Sequence, residues 1–157
     1  MQESFNRRNI LQVIAAGLVS SRSVFASPVA TEPAESGDPG PAGAQLPCSV
    51  VFHEDARFDP QPFGDLRYYL EGSTGQLRNF VAGYLELNVG QTPHAPHTHP
   101  EEEFMIFIEG HGELSLDGKV TAVRPGAVAY ASGGCRHGLV NTGTTRLIVY
   151  YLKWLGK

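Results

Sequence analysis

From residue 49 onward the apolar residues of this chain fall into short runs rich in Val, Ile, Tyr, Phe and Leu, separated by turn residues. Runs of that length and spacing suit the strands of a sandwich or barrel, and none keeps the period of an amphipathic helix. The pattern predicts strands over 66–70, 78–88, 103–109, 112–117, 119–123, 127–130, 137–142 and 145–153. Asp117-Gly118, set between two such runs, supplies the positive φ angles of a tight hairpin. Gly110 and Gly112 flank a second turn. Arg124-Pro125-Gly126 marks a third, where Pro fixes φ and the following Gly can turn left-handed. The expected fold class is all-β, in one domain over 48–157.

Alternation divides the run at 103–108 into two faces, because successive strand side chains point opposite ways. Glu103, Met105 and Phe107 share one face, and Phe104, Ile106 and Ile108 the other. Three large apolar residues on the second face call for cover, either by another sheet of the same chain or by a second copy in a homodimer.

The first 47 residues lack this pattern. Arg7 and Arg8 precede an apolar run from Ile10 to Val19, and a polar stretch then leads to Val24-Phe25-Ala26. That is the order of a cleavable export signal over 1–26, which would send the protein to the periplasm or outside the cell. The run is about half the length of a membrane span, so no permanent anchor is expected. Asn6 to Gln12 resembles a twin-arginine signal but departs from the usual pattern at Asn6, Ile10 and Gln12; a plain secretory signal and an amphipathic first helix are the alternatives. Residues 27–47, with one leucine and no aromatic, bury too little surface to offset their ordering entropy and are expected to form a disordered linker.

The formal net charge of -4 has no long run of one sign behind it and no basic stripe to neutralise phosphates, so nucleic acid is not an expected partner. Cys48 and Cys135 are either a disulfide or two free thiols; spacing does not decide, and free thiols are the expectation.

The candidate chemistry lies in the histidines. His97 and His99 are two apart in an extended stretch and can present both imidazoles to one point; Glu103 has the same parity, although Pro96 and Pro100 interrupt strict strand register. His137, several turns later, can close the site from another strand. Three imidazoles and a carboxylate suit one divalent transition metal (Fe, Mn, Ni, Cu, Co or Zn) and leave positions open to water, dioxygen or a substrate oxygen. His94 is an alternative ligand, a supporting donor or a loop residue. His53 and His111 read as surface residues, and Glu101 and Glu102 as solvated neighbours of the ligand, either of which could take its place if the register slips.

The stretch from Gly90 through His97-x-His99 and Glu103 to Gly110 resembles the first cupin motif, and Gly134-x-x-His137 with Asn141 resembles the end of the second. The loop before His97 is one residue longer than the commonest form, and the second motif's usual proline is absent around Ser132-Gly133-Gly134. The resemblance implies a jelly-roll barrel, or double-stranded β-helix, with the metal inside, often assembled as a dimer.

Cupins include dioxygenases, isomerases, decarboxylases and sugar-binding modules, so the fold names no reaction. Parity places Met105, Phe107 and Leu139 on the inner wall, with Tyr84 and Tyr130 as candidate polar tips beside them. These residues either line a small-molecule pocket or simply fill the barrel. The favoured reading is a dioxygenase-like metal enzyme with Glu103 as ligand and, on partial release, base; the alternative is a non-catalytic module that binds a carboxylate or sugar.

Overall fold

The computed structural model describes residues 45–157. The expected export signal over 1–26 and the linker up to residue 44 lie outside the described residues. Gln45, inside the expected linker, forms a bridge with Ser73, and the Leu46 amide donates to the Ser73 carbonyl at 2.8 Å, so ordered pairing begins before Cys48.

The described residues form nine strands: β1 (Arg57–Gln61), β2 (Gly64–Gly72), β3 (Leu77–Leu87), β4 (Glu102–Glu109), β5 (Gly112–Leu116), β6 (Lys119–Val123), β7 (Val128–Ala131), β8 (His137–Val140) and β9 (Leu147–Gly156). All the ladders are antiparallel. One sheet has the order β1-β2-β3-β9-β4-β7 and the other β6-β5-β8. No helix of the described residues is long and apolar enough to cross a membrane.

The sequence pattern missed β1. Its segment, RFDPQ, contains Asp and Pro, which are rare in strands, and it is tolerated because β1 is an edge where proline breaks no second ladder. The β5–β6 hairpin turns as expected, with φ of 47° at Asp117 and 82° at Gly118.

The core lies between the two sheets. Leu85, Leu87, Met105, Phe107, Leu147 and Val149 come from the larger sheet and meet Leu114 and Leu139 from the smaller one. Each such side chain contributes about 1.5–3 kcal/mol by burial. Asn141, fully buried, fastens one end: its amide donates to the Leu87 and Thr145 carbonyls, both at 2.9 Å, and its Oδ1 accepts from the Gly143 amide.

The smaller sheet packs on the Met105 and Phe107 side of β4, so it does not cover the opposite face. There Phe104 lies beside Tyr130 and Trp154, while Ile108 (49% exposed), Val128 (60%) and Tyr130 (46%) stay open to solvent in a single chain. Among the described residues, no second layer of the chain covers that face.

Candidate metal centre

Backbone pairing and strand position place the ligand candidates. His97 and His137 form a reciprocal backbone bridge: each amide donates to the other's carbonyl at 2.9 Å. The bridge joins the β3–β4 loop to the first residue of β8. Gly138 permits this closeness, since a Cβ there would stand 2.8 Å from the Pro96 ring. The His99 carbonyl accepts from the Gly134 amide at 2.8 Å, and Glu103 projects from β4.

These devices bring all four predicted ligands together. Donor atoms of His97, His99 and His137 lie within 4.8 Å of one another. Glu103 Oε2 stands 3.1 Å from His99 Nε2 and 3.2 Å from His137 Nε2. Two donors each about 2.1 Å from an ion and at right angles are about 3 Å apart, so both separations suit adjacent ligands.

The hydrogen-bond pattern supplies a second test of fit. The other ring nitrogen, Nδ1, donates to the Glu101 carbonyl at 3.1 Å in His99 and to the Cys135 carbonyl at 2.9 Å in His137. A neutral ring that donates through Nδ1 carries a lone pair on Nε2. Both lone pairs therefore aim at a carboxylate oxygen, an arrangement that calls for a proton or a cation between them. Without an ion, the proton answers: burial is the largest single influence and works to lower the His137 imidazole, but its hydrogen bonds to Glu103 and the Cys135 carbonyl, with the Glu103 charge, together raise it. Burial likewise works to raise the Glu103 carboxyl, but hydrogen bonds from His137 and His99 outweigh it and hold it at about 2. With an ion, three borderline imidazoles and one carboxylate suit a divalent transition metal, so the residues fit the group that the motif implies.

Glu101, expected to be a solvated neighbour, is not one. Its side chain is only 15% exposed, and its carboxylate lies 3.4 Å from His99 Nδ1, behind the ligand. His94 lies in the β3–β4 loop, where its ring packs edge-on against that of His97 at 3.9 Å and its Nδ1 donates to the Ala95 carbonyl. His53 and His111 are exposed, as expected.

Of the five pocket candidates, Met105, Phe107 and Leu139 are buried on the inner wall. Tyr84, although buried, and Tyr130 do not face the inner wall. Tyr84 is the ladder partner of Tyr150 and faces away from Leu85, its hydroxyl donating to Glu86 on the outer side. Tyr130 pairs with Phe104 and is exposed there. Both fall on the wrong side by one residue of parity. The inward polar residues of β9, Tyr151 and Lys153, went unnoticed, although alternation along the predicted strand 145–153 would have found them. Both cysteines are free thiols.

Residues 83–152 match the cupin domain model. Dimethylsulfoniopropionate lyase DddW of Ruegeria pomeroyi is 31% identical over 80 residues, covering 50% of this chain and 52% of that enzyme, so the chain spans about half of the curated relative's length. An RmlC-like cupin from Shewanella frigidimarina superposes with a TM-score of 0.58 at 18% identity, over 71% of this chain and 94% of that one. A predicted oxalate decarboxylase from Thermotoga maritima gives 0.55 at 22% identity, over 68% of this chain and 99% of that one. The chain thus folds as a cupin-type jelly roll, with both metal motifs inside the stretch that matches the cupin domain.

Proposed function

We propose that this protein is an exported, metal-dependent enzyme of lyase type that acts on a small organic molecule inside the barrel. The observation that carries the reading is the convergence of the His99 and His137 Nε2 atoms on one Glu103 oxygen. A divalent ion held there by His97, His99, Glu103 and His137 supplies Lewis acidity and open positions for a substrate oxygen. Met105, Phe107 and Leu139 make the interior apolar. The likeness to a lyase, over half that enzyme's length, favours elimination chemistry over the dioxygenase reading. With its carboxyl at about 2, Glu103 suits ligation and is a weak base at neutral pH. Export rests on Arg7 and Arg8 ahead of the Ile10 to Val19 run. Replacing both arginines with lysine leaves the precursor unprocessed if the route is twin-arginine, and unchanged processing points to the general secretory route.

The test is metal analysis of the native protein, then product formation from dimethylsulfoniopropionate and other β-substituted propionates, followed by proton NMR beside an oxygen electrode. Metal-dependent elimination without oxygen uptake supports the proposal. Oxygen uptake reinstates the dioxygenase, and bound ligand without turnover makes the protein a binding module. A native protein that takes up no metal overturns all three.

A further inference from the structure

Strand β9 carries a charged residue into the barrel beside the metal centre. Lys153 is the ladder partner of Glu103 on one side and of Val81 on the other, and ladder partners share a face of the sheet. Glu103 faces the imidazoles, so Lys153 shares their face. It is only half-buried. Tyr151, two residues earlier, takes the same face, pairs with Met105 and Gly83, and packs on the core. Gly83 makes room for it: a Cβ there would lie 2.3 to 2.5 Å from the Tyr151 ring and hydroxyl, so the ring lies over bare backbone.

The charges on this wall favour an anion. A divalent ion ligated by one carboxylate leaves the centre net positive, and Lys153 adds a second cationic group on the same face. Glu101 offsets part of this from behind His99, on the side away from Glu103. Lysine is a compact charge on a flexible stem, able to follow a small anion.

We propose that Lys153 is the counter-charge for the substrate, which is a small carboxylate. This rests on the metal-dependent reading above. Propionate and its uncharged counterpart propionamide are titrated separately against Mn(II)-loaded protein, with binding read from the enhanced relaxation of the probe protons. Lys153→Met weakens propionate by about tenfold or more, leaves propionamide and Mn(II) content unchanged, and keeps the native melting temperature; Lys153→Arg retains most of the propionate affinity. Equal propionate affinity with and without Lys153, no propionate binding by the native protein, or an equal loss of both probes overturns this inference alone. A native protein that binds no Mn(II) overturns the metal-dependent reading as well.

Discussion

The two faces of the wall formed by β3, β9 and β4 both carry clusters of titratable side chains, yet only one has the makings of a site. On the outer face, hydroxyls and rings complete one another: His53 Nδ1 meets the Tyr69 hydroxyl at 2.8 Å, Tyr69 meets the Tyr150 hydroxyl at 3.4 Å, and Tyr84 donates to Glu86, which also pairs with Arg146. Donor meets acceptor, and nothing is wanted from outside. On the inner face, two imidazoles spend their N–H groups on backbone carbonyls and turn their remaining lone pairs toward a carboxylate oxygen. Residue types do not separate the two clusters, since both hold His and Glu. What separates them is whether donors and acceptors balance.

The strongest way to break the contrast is to remove a ligand from the inner face. His99→Ala and His137→Ala each lose most of the bound metal, and with it the rise in melting temperature on adding metal, whereas His53→Ala and His111→Ala keep both. Metal analysis and thermal scans decide it, and full occupancy in His137→Ala would remove the second motif from the site. Next come the walls themselves. Phe107→Ala, at 1% exposure, costs about 3–5 kcal/mol in denaturant unfolding, while Tyr130→Ala, at 46%, changes stability by less than about 0.5 kcal/mol. Comparable losses would mean the outer face is buried, as in the expected homodimer, which sedimentation then reveals. A subtler change removes the support behind a ligand: Glu101→Ala lowers metal affinity by about tenfold in competition with a chelator, and no change would leave the Glu101 carbonyl as the sole anchor of His99.

The mildest perturbation is pH. His137 is raised, so its stabilising bond to Glu103 is fully present below about 6.5 and fades as pH rises through the raised value. Glu103 is lowered, so its share is present above about 4.3 and fades as pH falls toward about 2. The metal-free centre is therefore most stabilising between those limits. Because metal must displace the His137 proton, the gain in melting temperature on adding Zn(II) grows between about pH 5.5 and 7.5. A constant gain would show that no proton is released.

The strands from 64 onward were legible because Val, Ile, Tyr, Phe and Leu alternate between clear turn residues. All four residues proposed as ligands meet because an HxH pair shares parity and both motifs have recognisable spacing. Illegible features had local causes. Strand β1 hides behind Pro60, and the β2 strand's bulge between Tyr68 and Leu70 shows how one inserted residue disturbs parity. Residue type suggests Tyr84 as a polar tip beside the inner wall, but Leu85 and Leu87 claim the inner face of β3. Glu101 reads as solvated because a run of three glutamates looks like a surface, and only folding shows that its side chain turns back on His99.

The reciprocal bridge between His97 and His137 uses main-chain groups alone, so it asks nothing of an ion and holds two ligands in register before one arrives. The cost of ordering the centre is met during folding rather than at loading. Metal uptake should therefore leave the amide resonances of β8 nearly in place and show little change in heat capacity, unlike domains that fold around their metal. On the metal-dependent reading proposed above, the barrel would be a rigid receptor, exchanging one ion for another without unravelling.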